Sequence, residues 1–127
     1  MIKGLESITI FSKNAAKLAG FYRDKVGLKL SLEAEMGEKS ANLFGFTWKG
    51  RSDLYIVDHS KVKGKSKFPD RLIFNFEVDN IKSEVKKLDK ADVKKIKDTY
   101  HLEGYGWIAT FKDFDGNFFQ LVQTKLN

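Results

Sequence analysis

The feature that most constrains this chain is a predicted order of strand, helix and three strands that occurs twice. In the first copy, polar and apolar residues alternate over 5–11, and apolar residues then recur at helical spacing up to Gly27. Ser12 or Asn14 is suited to cap this helix. Strands are then predicted over 28–32, 41–48 and 53–58, with a polar loop at 35–40.

The second copy follows a connection rich in Lys, Ser and Gly at 59–70. A strand is predicted over 72–78 and a helix capped by Asp79 comes next, followed by strands over 93–98, 107–112 and 117–124. Ile8 then aligns with Phe74, and Ile56 with Gln120, at offsets of 66 and 64 residues. The repeat therefore covers close to half the chain, which indicates an internal duplication.

The duplication predicts an α+β fold made of two βαβββ modules. One such unit is too small to cover its own sheet, so we expect a curled mixed sheet around a cleft, with the helices on the outer face. The chain would be a single domain, 1–127, with module one at about 1–60 and module two at about 70–127. A ferredoxin-like sheet with an extra hairpin is the alternative.

The composition excludes several classes of protein. The chain has 127 residues and no cysteine, which excludes disulfides, thiol catalysis and zinc–thiolate sites. No apolar run reaches the roughly 18 residues of a membrane-spanning helix. The alternating N-terminus also lacks the apolar segment of a secretory signal. We therefore predict a cytoplasmic protein with no membrane partner.

The net charge of +6 is carried mainly by lysines, many of them in 61–67 and 82–97. A basic surface attracts nucleic acid or anionic ligands. However, the sequence has no helix-turn-helix pattern, zinc-finger spacing or RNP-type aromatic motif. We therefore interpret the lysines as a solvated face and expect no nucleic-acid partner. A basic interaction module stays open as an alternative, which salt-dependent DNA binding would support.

Three segments are similar to a known family. Residues 21–28, FYRDKVGL, resemble its helix-end signature, and 76–81, FEVDNI, resemble the start of its second module. Residues 104–117, GYGWIATFKDFDGN, resemble its last hairpin, with Phe114 where the family has proline. Together with the repeat, they make the chain similar to the vicinal-oxygen-chelate superfamily of glyoxalases, bleomycin resistance proteins and extradiol dioxygenases. The resemblance spans essentially the whole chain.

The resemblance implies where a metal would be held. In the family's enzymes, His and Glu side chains on the first and last strands of each module bind a divalent cation. The matching positions here are Ser7, Ile56, Ile73 and Gln120. Isoleucine has no donor atom, serine is a weak neutral ligand, and one amide oxygen cannot hold a cation alone. We therefore predict neither a metal nor another cofactor.

The two histidines of the chain, His59 and His101, are interpreted as surface residues. A shifted metal site that uses Asp58, His59 and Glu77 is conceivable but has little support from the sequence. Asp58 and Glu77 are also the only acids that strand alternation would place in the cleft as a general acid or base. Each is explained more simply as a residue at a strand edge, so no catalytic residue is predicted.

The predicted lining of the cleft, mostly apolar with a few uncharged polar groups, resembles that of the family's metal-free branch, whose members sequester a drug without changing it and complete the cleft by dimerisation. We therefore predict a homodimer that binds a small organic ligand, anionic or neutral because the chain is basic. A glyoxalase-type lyase or a dioxygenase that depends on a metal is the alternative. The residues predicted to bind the ligand are Ser7, Thr9, Ile56, Ile73, Asn75, Trp107, Phe118 and Gln120.

Overall fold

Two compact units make up the part of the chain that the computed structural model describes, residues 1–37 and 40–124. One unit runs from Met1 to Gly64, and the other begins at Lys65. Each contains a strand, a helix and three strands in that order, so the α+β class and the two predicted βαβββ modules are confirmed. Within the described ranges, no helix is long and apolar enough to cross a bilayer.

The first unit packs one helix against a four-stranded sheet. Its elements are β1 (Ser7–Ser12), α1 (Ala15–Phe21), β2 (Leu30–Met36), β3 (Ala41–Phe46) and β4 (Asp53–Asp58). The strand order is β1-β4-β3-β2, in which β1 is parallel to β4 and the other pairs are antiparallel. Asn14 caps α1 by accepting the N–H of Lys17. A π-helical turn, Tyr22–Val26, continues the helix and ends at Gly27.

The second unit repeats this arrangement. A 3-10 turn (Pro69–Arg71) precedes β5 (Ile73–Glu77), α2 (Ile81–Lys90), β6 (Lys95–Leu102), β7 (Gly106–Lys112) and β8 (Phe118–Gln123). The strand order is β5-β8-β7-β6, again with one parallel pair, β5 with β8, and two antiparallel pairs. The same topology in both halves is what the repeated sequence pattern predicts.

Alternation along the strands gives each sheet a helix-packed face, which lies against the helix of its own unit, and a helix-free face on the opposite side. Two side chains identify the helix-packed faces. The carboxylate of Asp58 accepts the N–H of Ala15 at the start of α1, and the amide oxygen of Gln123 accepts the N–H of Ile81 at the start of α2. The buried residues of these faces are Ile10, Phe44, Phe46, Leu54 and Ile56 in the first unit, and Phe74, Ala109, Phe111, Phe119 and Leu121 in the second.

Several predicted boundaries differ from the structure. β2 spans 30–36 where 28–32 is predicted, and β6 spans 95–102 where 93–98 is predicted. Both strands lie at the edge of a sheet and bury few side chains, so their sequences alternate weakly. α2 is capped by Asn80 and not by Asp79, because the Asn80 side chain accepts the N–H of Ser83. Residues 38–39 of the predicted loop at 35–40, and 125–127 of module two, lie outside the described residues.

Candidate functional site

A row of side chains crosses the helix-free face of the first unit. Thr9 on β1 pairs with Tyr55 on β4, Tyr55 pairs with Gly45 on β3, and Gly45 pairs with Leu32 on β2. Ser7 pairs with Asp53, two residues along the same strands, and so lies on the same face. Ser7 and Thr9 are therefore on the predicted face.

The ring of Tyr55 lies across Gly45. A Cβ added to Gly45 would be 3.1 Å from Cε1 of Tyr55 and 3.2 Å from Cβ of Leu32, so glycine is what allows the ring to approach the backbone this closely. The hydroxyl of Tyr55 donates to Oδ2 of Asp53 at 3.1 Å. This hydrogen bond is the main cause that raises the pKa of Tyr55 above 10.0, with a smaller contribution from burial. The hydrogen bond to Asp53 therefore fixes the phenol in position and keeps it protonated.

The equivalent row in the second unit is polar. Asn75 on β5 pairs with Gln120 on β8, Gln120 pairs with Thr110 on β7, and Thr110 pairs with Lys97 on β6. Within this row, Nε2 of Gln120 donates to Oγ1 of Thr110 at 3.0 Å. The predicted residues Asn75 and Gln120 are therefore brought together on the helix-free face.

The next row of the second unit is mainly apolar. Ile73 pairs with Phe118, and Phe118 pairs with Lys112. The ammonium of Lys112 lies 6.0 Å from the centroid of the Phe118 ring, at the outer limit of a cation–π contact. Phe118 is buried and Ile73 is half-buried. Ile73 and Phe118, both predicted to bind the ligand, share the helix-free face.

The structure corrects the predicted position of Ile56. The register pairs Ile56 with Ile10, and its fully buried side chain belongs to the helix-packed face. Tyr55, and not Ile56, is therefore the equivalent of Gln120. The offset between β4 and β8 is 65 residues, and the predicted 64 shifts the strand by one residue and exchanges its two faces.

The same shift corrects Asp58, which the alternation had also placed in the cleft. Its Oδ1 accepts the N–H of Ala15 at 2.8 Å, and its Oδ2 accepts the N–H of Asn42 at 3.3 Å. Both carboxylate oxygens therefore bond to the backbone, one of them at the start of α1. Asp58 stabilises the helix start and is not placed to act as a general acid or base on the helix-free face.

Trp107, another residue predicted to bind the ligand, lies on the helix-packed face of β7. It pairs with Gln123, whose side chain caps α2, and its ring lies 4.6 Å from the ring of His101. The tryptophan instead borders a depression of about 270 Å³, which is lined by His101, Gly104, Tyr105, Gly106, Trp107 and Thr124. This volume is below that of most ligand sites, and the depression ends at the last described residue.

The donor atoms at the four positions that hold a metal in the family's enzymes do not fit a divalent cation. With the corrected register, these positions are Ser7, Tyr55, Ile73 and Gln120. Ile73 has no donor atom, the phenol of Tyr55 stays protonated beside Asp53, and serine and glutamine offer only neutral oxygens. Within residues 1–37 and 40–124, no three His, Asp or Glu side chains gather where they could hold a cation. We therefore derive no chemistry through a metal.

His59 gives no support to a shifted metal site. Its Nδ1 accepts the N–H of Lys61 at 3.1 Å, and its ring contacts Phe11 edge to face at 5.1 Å between centroids. One imidazole nitrogen is therefore already used within its own turn. Asp58, the neighbouring acid of the conceivable site, has both oxygens bonded to backbone N–H groups.

Tyr55, Thr110, Lys97 and Lys112 also lie on the helix-free faces, and sequence reasoning did not name them as candidates. For Tyr55, the available signal was Gly45, because a glycine inside a strand marks the close approach of another group. Lys97 could not be found from alternation alone, because irregular pairing between β6 and β7 interrupts the two-residue period of β6. Lys112 lies on β7, whose pairing with β8 is regular, so alternation could have found it.

Comparisons with known proteins agree with this architecture. The model of the glyoxalase/bleomycin resistance protein/dioxygenase superfamily matches residues 4–121. The uncharacterized protein YetH of Bacillus subtilis is 25% identical over 123 residues, which cover 97% of this chain and 100% of that protein.

Two solved structures have the same fold. A fosfomycin resistance protein, FosX, from Listeria monocytogenes is 18% identical with a TM-score of 0.71, over 98% of this chain and 94% of that one. An antibiotic binding protein from Streptomyces is 21% identical with a TM-score of 0.70, over 98% of each chain. At these identities the structures show the fold alone. Because the family model covers most of the chain, the protein belongs to the glyoxalase/bleomycin resistance protein/dioxygenase superfamily.

Proposed function

We propose that this protein binds a small organic ligand without a metal and without changing it chemically. The helix-free face of each unit, taken by itself, offers candidate contacts: Ser7, Thr9 and Tyr55 in the first unit, and Ile73, Asn75, Phe118 and Gln120 in the second. Aromatic rings and a small number of uncharged polar groups are the usual lining of a site for an organic molecule.

The observation that carries the proposal is the replacement of metal-binding side chains by a tyrosine ring at a family metal position. Tyr55 covers Gly45, is half-buried, and is fixed by its hydrogen bond to Asp53. A ring held in this way offers a face for stacking and loses little conformational freedom when a ligand binds. It offers no Lewis base for a d-block cation while its phenol is protonated.

The proteins of the same fold support a binding role. One of them is an antibiotic binding protein and another is a fosfomycin resistance protein. The antibiotic binding protein fits the class of ligand proposed here, whereas FosX has been solved in complex with Mn(II), as in the metal-dependent alternative. A homodimer and a cytoplasmic location stay predictions, and light scattering coupled to size-exclusion chromatography would test the first.

The proposal can be tested with N-phenyl-1-naphthylamine, a neutral aromatic dye whose fluorescence rises in an apolar environment. We expect the native protein to bind the dye, and Tyr55→Ala to weaken binding about tenfold, since about 1.4 kcal/mol of stacking and burial is lost. Tyr105→Ala is the matched control, because it removes an exposed tyrosine from the depression beside Trp107. Equal effects of the two variants, or loss of binding only in Tyr105→Ala, would contradict the proposed site.

Elemental analysis tests the absence of a metal separately. We expect protein purified without a chelator to contain less than stoichiometric nickel, zinc, iron and manganese, and we expect these ions not to raise its melting temperature. One metal ion per chain would overturn the proposal and restore the alternative of a metal-dependent lyase or dioxygenase.

A further inference from the structure

Two lysines lie on the helix-free face of the second unit, beside the residues proposed to bind the ligand. Lys97 on β6 pairs with Thr110 and begins the polar row that continues to Gln120 and Asn75. Lys112 follows Thr110 by two residues on β7 and therefore points to the same face. The two lysines are diagonal neighbours across β6 and β7, a relation in which Cα atoms are about 7–8 Å apart.

An aromatic ring lies under each lysine. The ammonium of Lys97 is 4.1 Å from the centroid of Tyr100, and that of Lys112 is 6.0 Å from the centroid of Phe118. Tyr100 pairs with Ile108, which confirms that this ring shares the helix-free face. The ring faces attract the ammonium groups, and a cation–π contact occupies only one side of an ammonium, so N–H groups stay available to a ligand.

Neither lysine is neutralised by an acid among the described residues. Lys95, on the opposite face of β6, pairs with Asp89 and Asp98 at 3.3 Å, so the acids of this region are used there. Lys97 and Lys112 make no ion pair within residues 1–37 and 40–124. The acid of the same face, Glu77, lies on the far edge strand, where it accepts from the hydroxyl of Thr124 at 3.3 Å.

Thr110, the neutral residue between the two lysines, can also donate a hydrogen bond. The hydroxyl of Thr110 accepts from Gln120, so its own hydrogen is directed elsewhere. Two ammonium groups and the hydroxyl of Thr110, which is largely buried, are therefore donors on the same face of the sheet. A cluster of donors with no neutralising carboxylate favours an anion with several oxygen atoms.

We propose that the ligand carries an anionic group, a carboxylate, sulfonate or phosphate, which Lys97 and Lys112 bind together while its apolar part contacts Phe118 and Tyr100. This inference rests on the proposed function and assigns it a class of ligand. The first unit offers no comparable group, since its described helix-free face has Asp53 as a charged residue and no lysine or arginine. The proposal thus gives these two lysines a role distinct from that of the solvated lysines on α2.

Two dyes that share the anilinonaphthalene skeleton test the inference. One is 8-anilinonaphthalene-1-sulfonate, and the other is neutral N-phenyl-1-naphthylamine, which lacks the sulfonate. We expect the sulfonate dye to bind the native protein about tenfold more tightly, with an advantage that shrinks as salt is added. The double variant Lys97→Met, Lys112→Met keeps the aliphatic stems, and we expect it to remove this advantage while neutral-dye affinity stays within about twofold.

The matched control is the double variant Lys82→Met, Lys86→Met, which removes the same charge from two exposed positions of α2. We expect it to keep the preference for the sulfonate dye. Melting curves of both double variants test whether each is folded. Equal binding of the two dyes by the native protein, or equal loss of the preference in both double variants, would overturn the anion proposal and leave the proposed function standing. If neither dye binds, the proposed function fails and the anion proposal fails with it.

Discussion

Asp58→Ala should destabilise the protein without changing its affinity for a ligand. Oδ1 of Asp58 accepts the N–H of Ala15 at 2.8 Å, and Ala15 is fully buried at the start of α1. Alanine at 58 would leave this N–H, which belongs to a fully buried residue, without its acceptor. Such a loss costs about 1.5–3 kcal/mol when the acceptor is charged, and the exposed N–H of Asn42 adds little because water replaces the carboxylate. We therefore expect unfolding free energy to fall by about 2 kcal/mol.

Asp58→Asn is the conservative control. It keeps one acceptor oxygen for Ala15 and loses the charge that interacts with the dipole of α1, so we expect a loss of about 1 kcal/mol. Gln123→Ala removes the equivalent neutral acceptor from the start of α2 and should also cost about 1 kcal/mol. Urea unfolding followed by far-ultraviolet circular dichroism measures all three variants. The midpoint should fall and the slope should stay unchanged.

Dye binding completes this test. If Asp58 only holds the helix start, Asp58→Ala binds both naphthalene dyes with affinities within about twofold of the native protein at temperatures where it is folded. The reasoning would be refuted by native stability in Asp58→Ala, or by a large change in dye affinity at native stability. The second result would restore Asp58 as a residue that faces the ligand.

Three further predictions concern the core, a turn and one ionisable group. Phe119→Ala removes a fully buried ring and should cost about 3–5 kcal/mol in chemical denaturation, and a loss below about 1 kcal/mol would disprove its place in the core. Gly106→Ala should lower the free energy of unfolding by about 3 kcal/mol, because the φ of Gly106 is +147° and a Cβ would overlap the backbone of β8. Gly104 has open space around it, so Gly104→Ala should lower the free energy of unfolding by about 1 kcal/mol. In an ultraviolet absorbance titration, one tyrosine should ionise above the ordinary value of 10.0, and Asp53→Asn should remove this late step, since the bond to Asp53 raises the pKa of Tyr55. Because the folded pKa of Tyr55 lies above its unfolded value, the stability from that bond is present below pH 10.0 and is lost as the pH rises through the folded pKa. The absence of a late ionisation step would refute the pairing of Tyr55 with Asp53.

The sequence alone determined the class of fold and the order of elements. Two repeats of strand, helix and three strands follow from local periodicity, because alternation and helical spacing depend only on which residues must be buried. β4 matched its predicted bounds, Asp53–Asp58, because an apolar run at 54–57 is bounded by a charged residue on each side. The exposed edge strands β2 and β6 lack this constraint, so their predicted bounds were wrong.

The sequence also determined which donor atoms stand at the positions that hold a metal in the family's enzymes. Ser7, Ile73 and Gln120, which stand at three of the family's metal positions, offer neither a carboxylate nor an imidazole. An error of one residue in β4 does not change this conclusion, because Ile56 has no donor atom and the phenol of Tyr55 stays protonated beside Asp53. The residue types at these positions were therefore more informative about metal binding than the alignment of the two repeats.

Only the tertiary structure decided which face each side chain occupies. A register shift of one residue exchanges the faces of a strand, so Tyr55 replaced Ile56 on the helix-free face, and Asp58 became a partner of the α1 backbone. The register is set by hydrogen bonds between strands that are distant in sequence, and no local pattern records them. For the same reason, Lys97, Thr110, Gln120 and Asn75 form one row only when four separate strands are paired.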